Sequence, residues 1–285
     1  MMTKTRWIFL FATFVISCGS LIMLIVATTT TQWVNGRAVS TSGGGSTTTA
    51  SLDAHYGLFG GSQDLHILNV ISHYDLTMTC SFGDNICGLS CQRTPEARLD
   101  EITKILNGVT PSECPISSAR SNNGGLLVDT RQQDVPSNEQ FINAGLWLSS
   151  VVFLCITIFF ALLCTVQSLT NILSNPIWSI FSVYGLYIWN GLAIAFAILT
   201  LILWGSLFAT SIQYNIAVRH TLTVNSILKS EGLASLGFSY WILFGPILLH
   251  SINIGLLLWR KWLIEREPPP VAINVNRNDF TILLY

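Results

Sequence analysis

Thr28-Thr29-Thr30-Thr31-Gln32-Trp33 ends one membrane-length apolar run and opens a polar stretch that lasts to Asn143, where a second apolar run begins at Ala144. Upstream, Trp7 to Ala27 carries no charge. It has the roughly 20 residues that a helix rising 1.5 Å per residue needs to cross a hydrocarbon core about 30 Å thick. A cleaved signal peptide with Lys4 and Arg6 as its basic region is the rival reading, but signal cores run only about 7 to 15 residues. Ala144 to Val166, Tyr184 to Phe208 and Phe238 to Trp259 are three further runs of spanning length.

The sequence therefore predicts an all-α membrane protein: a four-transmembrane-helix bundle with a small, disulfide-stabilised first extracellular loop that has room for β-structure. The expected order is a cytoplasmic start (1–6), a span (7–27), a large outer loop (28–143), a span (144–166), an inner loop (167–183), a span (184–208), a second outer loop (209–237), a span (238–259) and a cytoplasmic tail (260–285).

Composition agrees. Half of the 285 residues are hydrophobic and 10% are charged, against about a quarter in soluble domains. The net charge of -1 provides no basic excess for binding nucleic acid. Lys4, Arg6, Arg260, Lys261 and Arg266 flank the outermost spans, against Arg219 and Lys229 in the second loop. The positive-inside rule then puts both ends in the cytoplasm of a plasma-membrane protein, although 167–183 carries no Lys or Arg.

Within the long loop, Ser40 to Ser51 is a Ser/Thr/Gly run that reads as a flexible linker, or as a site for O-linked sugars. Leu65 to Cys80 is β-branched and suits short strands, Pro95 to Asn107 has helical spacing with Glu101 and Lys104 as a pair, and Asn122 to Gly125 reads as a turn. Cys80, Cys87, Cys91 and Cys114 are disulfide candidates in an oxidising compartment, with three pairings open. The Cys87-x-x-x-Cys91 spacing lacks the second ligand pair that zinc needs. His55, His66 and His73 read as solvated surface residues. No hydrolase, zinc-protease or glycine-rich nucleotide motif occurs. No catalytic residue, cofactor or metal is expected.

In lipid, helices associate through small residues and polar contacts. Gly191 with Ala195, Gly205 with Ala209, and Ser251 with Gly255 form small-residue faces expected to meet, and Pro246 is expected to bend the fourth span. His250 and Asn253, one turn apart, should point into the bundle, as packing groups or as a proton or ion site. Leu283-Leu284-Tyr285 suits addition as a strand to a PDZ domain.

Trp33; Tyr56-Gly57-Leu58-Phe59; Tyr184-Gly185-Leu186-Tyr187; Tyr240-Trp241-Ile242 through His250 and Asn253 to Gly255-Leu256-Leu257; and the terminal Leu-Tyr together resemble the clarin family, tetraspan proteins of the claudin-like superfamily. Phe59 stands where claudins have Trp, and Cys80 comes much later than their cysteine pair, so paracellular strand formation does not carry over. The resemblance implies a non-enzymatic membrane organiser of sensory-cell or synaptic membranes, joining an extracellular domain to cytoplasmic PDZ or actin-associated scaffolds. A channel or adhesion protein, or a second copy, are further candidate partners. The alternatives are an auxiliary subunit of a channel or receptor and, behind it, a pore-forming junction protein.

Overall fold

The computed structural model describes residues 2–40, 51–67, 70–107, 109, 141–173, 182–216, 228–229 and 232–266. Four of its helical segments are long and apolar enough to cross a membrane: Trp7–Thr29, Ala144–Leu173, Val183–Ile212 and Phe238–Arg266. They belong to α1 (Met2–Thr29), α3 (Ala144–Leu173), α4 (Val183–Leu207) with one π-helical turn at Phe208–Ile212, and the pair α5 (Phe238–Trp241) and α6 (Phe244–Arg266). A short amphipathic helix, α2 (Pro95–Leu106), lies between the first two. The protein is a multi-pass membrane protein. Its helices form a closed ring in which α1 and α4 each pack on both α3 and α6.

The helices outrun the apolar runs at both ends of the bundle. Charge or polarity ends a hydropathy signal, whereas a helix ends only where its backbone bonds stop. The Thr28 hydroxyl donates to Ile25 O (2.7 Å), that of Thr29 to Ile25 O (3.0 Å) and that of Thr30 to Val26 O (2.8 Å). These hydroxyls help to satisfy carbonyls near the helix end, so α1 continues to Thr29. At the far end α3 continues past 166 to Leu173, where the Asn171 amide donates to Gln167 O at 2.8 Å. α6 continues past 259, aided by Lys261–Glu265 at 3.8 Å and by Arg266 over the Trp262 ring.

The expectation of an all-α protein needs correction. An eight-stranded antiparallel sheet stands on one end of the bundle: β1 (Val34–Ser40), β2 (Ser51–Tyr56), β3 (Gly60–Ile67), β4 (Val70–Ser81), β5 (Ile86–Ser90), β6 (Ile142–Asn143), β7 (Leu228–Lys229) and β8 (Ala234–Leu236). Its order is β6-β5-β4-β3-β2-β1-β7, with β8 also on β1. Both loops therefore build one sheet, which places them at the same end of the bundle. The sheet has an inner and an outer face. In β2, Leu52, Ala54 and Tyr56 are buried while Ser51, Asp53 and His55 are half-exposed, the period of two expected of a half-buried strand. α2 covers the sheet with Ile102 and Ile105, starting from a Thr94 cap that accepts from Ala97 N at 3.3 Å. The Glu101–Lys104 pair does not form: Lys104 pairs with Asp100 at 2.6 Å, and Glu101 turns inward to accept from Ser90.

Span four departs from a regular helix just ahead of Pro246, where a bend is expected: Ile242 and Leu243 interrupt the helix, and Leu243 N and Gly245 N bond three residues back, to Tyr240 and Ile242. A proline ring clashes with the carbonyl four residues before it, here that of Ile242. Pro246 accordingly falls in the first turn of a new helix, where its missing N–H costs nothing. Ser40 and Ser51, the ends of the run expected to be flexible, lie in β1 and β2; residues 41–50 between them, the turn expected at 122–125 and the tail from 267 lie outside the described residues.

Candidate functional site

The sheet meets the bundle in a tight joint. Trp33 is fully buried; its indole N–H donates to Ala27 O (2.7 Å) and its ring stands edge-on to Trp204 with centroids 5.0 Å apart. Its backbone joins two strands to the helix end: Trp33 N donates to Tyr56 O (3.2 Å), and Gly237 N donates to Trp33 O (2.8 Å). Gly57 must be glycine, because a Cβ there would lie 2.5 Å from Thr30 O. Leu58 is buried, and its carbonyl accepts the Trp147 indole N–H from α3 at 2.8 Å. Phe59 stays exposed, edge-on to Trp147 at 6.5 Å. The structure thus brings Trp33 and Tyr56 to Phe59, separated in sequence, into one contact with α1, α3 and α4. Burial also pushes the Tyr56 phenol far above its usual range.

A second constellation lies inside the bundle. His250 Nε2 is 2.8 Å from Ser20 Oγ, and His250 Nδ1 is 2.7 Å from Asn190 Oδ1. Asn190 Nδ2 donates to Leu186 O (2.7 Å), which turns its carbonyl oxygen to the imidazole. His250 Nδ1–H therefore donates to Asn190, and Nε2 accepts the Ser20 hydroxyl, so a neutral imidazole meets both partners. One turn on, Asn253 Nδ2 donates to Ser17 Oγ (3.0 Å) and, at 3.4 Å, to Asn190 Oδ1. The cluster ties α1, α4 and α6 together. An unmatched polar group in hydrocarbon costs several kcal/mol, so these groups fix which helix faces which. Asn253 Oδ1 is buried without a partner among the described residues.

Serine, histidine and a third orienting group at these distances also form nucleophilic centres. Here the Ser20 side chain has no exposed surface and His250 only 1%.

The small-residue faces largely do not meet within the chain. A Cβ at Gly191 or Gly255 would find nothing within 4 Å, and Ala195, Ala209 and Ser251 are exposed. Gly205 alone is close-packed, a Cβ there lying 3.2 Å from Tyr240 Oη. The polar contacts between α4 and α6 run instead through Asn190, His250 and Asn253, with buried Leu186 and Leu257 in one apolar cluster.

Cys80 and Cys87, paired directly across β4 and β5, form a disulfide. Cys91 is also disulfide-bonded, and Cys114 lies outside the described residues. Cys18, Cys155 and Cys164 are free thiols. Among the described residues no group of three His, Cys, Asp or Glu is placed to hold a metal ion.

The three loop histidines are less scattered than the sequence suggests. They share the outer sheet face with aspartates: His73 Nδ1 lies 2.5 Å from Asp64, His66 Nε2 3.4 Å from Asp53, and His55 Nε2 3.0 Å from Ser62. Arg37 grips Asp53 with two bonds, of 2.6 and 3.0 Å. That hydrogen bonding holds the Asp53 carboxyl below its usual range, against a smaller opposing effect of burial.

Comparison with known proteins adds one distant likeness. Over 112 residues the chain is 27% identical to Clarin-3 of Homo sapiens, a stretch amounting to 39% of this chain and 48% of that protein. The chain thus spans about half the length of the curated relative it matches. No family model matches it. The likeness and the four apolar helices are consistent with a clarin-like tetraspan.

Sequence reasoning missed Ser17, Ser20 and Asn190. The signal was present: Ser17-x-x-Ser20 repeats the one-turn spacing of His250-x-x-Asn253. Two polar pairs of equal spacing on different apolar helices are candidates to face each other.

Proposed function

We propose that this protein is a non-enzymatic, clarin-like membrane organiser that holds a disulfide-stabilised ectodomain at a fixed attitude to the plasma membrane and presents its tail to cytoplasmic scaffolds. The observation that carries this reading is the joint. Two indole-to-carbonyl bonds, a glycine close approach and a buried Trp–Trp contact lock the sheet to three helices. A freely swinging ectodomain would need none of them. In this reading both termini are cytoplasmic, and Leu283, Leu284 and Tyr285 add as a strand to a PDZ domain, the terminal carboxylate being held by backbone amides.

The reading is tested by proximity labelling from the cytoplasmic tail in intact cells, comparing the full chain with one lacking residues 283–285. Loss of PDZ-containing neighbours with unchanged surface level is the expected result. Identical neighbour sets would remove the tail from the mechanism, and currents altered by co-expression would favour an auxiliary channel subunit.

A further inference from the structure

We propose that the turn between β4 and β5 is a membrane-dipping tip that seats the Phe82 ring among the lipids of the leaflet on the sheet side. This inference rests only on the four spans and holds whether or not the organiser reading does.

The depth of the turn follows from its bonds. β6 pairs with β5 through Ile142 and Asn143, the two residues immediately before α3. The turn then continues alongside the first turn of α3: Ala144 N donates to Asn85 O (3.3 Å) and Gly145 N donates to Asn85 Oδ1 (3.0 Å). Asn85, at φ 56°, is the residue whose left-handed backbone turns the chain back into β5 there. Apolar α3 begins at Ala144, so residues 82–85 lie where a membrane span starts.

At that level Phe82 is 60% exposed. Gly83, Asp84 and Asn85 are exposed too, and a Cβ on Gly83 would meet nothing within 4 Å. The tip is nevertheless held in shape. The Cys80–Cys87 disulfide closes its base, and the Ser81 hydroxyl donates to Asp84 Oδ2 at 2.7 Å. Little ordering cost therefore remains when the ring finds an apolar medium.

Lipid is the occupant because the patch continues a surface that already faces lipid. Leu148 and Val152 are exposed on α3 just below the turn, and exposed Phe59 leans on Trp147 at the same end. Phe238 and Trp241 are exposed where α5 follows β8. Trp and Tyr gather where water meets hydrocarbon, and interfacial segments bury Trp, Phe and Leu just under the headgroups, so Phe82 extends that belt from the helices onto the sheet. The Asp84 carboxylate limits the depth: the ring sits in the interfacial zone, and the turn does not enter the hydrocarbon.

The test uses the full chain in phosphatidylcholine nanodiscs, with Cys18, Cys155 and Cys164 replaced by Ser and one spin label at Phe82→Cys or, as the control, Ile71→Cys. Ile71 is 63% exposed near the opposite end of β4, about 35 Å along the strand. The label at 82 should collide several-fold less with a water-soluble nickel chelate and more with oxygen than the label at 71. Equal collision rates overturn the proposal. So does protection seen only in discs holding two copies, which would assign the ring to a protein interface. The chain with Phe82 intact supplies a second measurement: in discs, hydroxyl-radical oxidation of Phe82, scaled to the intrinsic reactivity of its side chain, should be several-fold below that of the equally exposed Ile71, and equal scaled rates sink the idea.

Discussion

The joint and the bundle interior hold the same helices together by opposite means. At the joint, water is close by, so burying Trp33, Tyr56, Leu58 and Trp204 gains the hydrophobic free energy that drives soluble proteins to fold. In the interior, lipid is as apolar as leucine, and nothing is gained by moving a Leu from lipid to protein. There the polar set Ser17, Ser20, Asn190, His250 and Asn253 gives the helix faces their specificity. The same chain thus uses apolar anchors where solvent is wet and polar anchors where it is dry.

Trp33→Ala should break the contrast at its strong side. Removing a large buried aromatic from a soluble-like core costs about 3 to 5 kcal/mol, and here it also frees the Ala27 carbonyl and uncovers Trp204. The expected outcome is a low yield of membrane-inserted protein and rapid proteolysis of the sheet in nanodiscs. Wild-type protease resistance would show that the joint is not what fastens the sheet.

A smaller effect is expected inside. Interhelical hydrogen bonds in bilayers average about 0.6 kcal/mol and reach about 2. His250→Leu and Ser20→Ala should each lower thermal stability in detergent by that order. Their double mutant should lose less than the sum, because the two groups share one bond. Full additivity would deny the contact.

Gly191→Leu and Gly255→Leu sharpen the contrast from the other direction. Both side chains would project into open space, and replacing helical glycine removes a penalty of about 1 kcal/mol. Monomer stability should be unchanged or slightly higher in thermal melts. A clear loss would mean that these faces are covered, and a fall in apparent mass by light scattering would identify the cover as a second copy.

The smallest effect belongs to the outer sheet face. Because Arg37 lowers the Asp53 carboxyl's folded value, the pair's contribution is present above the unfolded value near pH 4 and is lost as pH falls through the folded one. The pair is exposed and screened by solvent, so its effect is small. Asp53→Asn should therefore lower the stability of the sheet slightly at pH 7 and make no difference well below pH 4, so that the two profiles converge on acidification.

The spans were readable because twenty apolar residues leave lipid few alternatives, and the inward direction of His250 and Asn253 followed from the cost of exposing them there. The sheet was hidden for a different reason. β1 contains Asn35-Gly36-Arg37 and β3 opens Gly60-Gly61-Ser62, residues with weak strand preference, so pairing partners rather than local propensity make these strands. The Gly-x-x-x-Ala spacing was misleading because it records that a helix could be approached closely, not that a neighbour stands opposite. Helical spacing alone cannot tell which acid lies over the sheet: Glu101 does, and Asp100, one residue away, faces Lys104.

The position of β1 also sets an order of manufacture. It lies between β2, made soon after it, and β7 and β8; Ser235, which bonds to Asn35, is synthesised 200 residues later. A growing chain must therefore carry one side of β1 open through synthesis of α3 and α4. Any defect that delays the last helix leaves a bare strand edge for quality-control machinery or a sticky neighbour to seize, and truncated products should be recognised by that edge rather than by their missing tail.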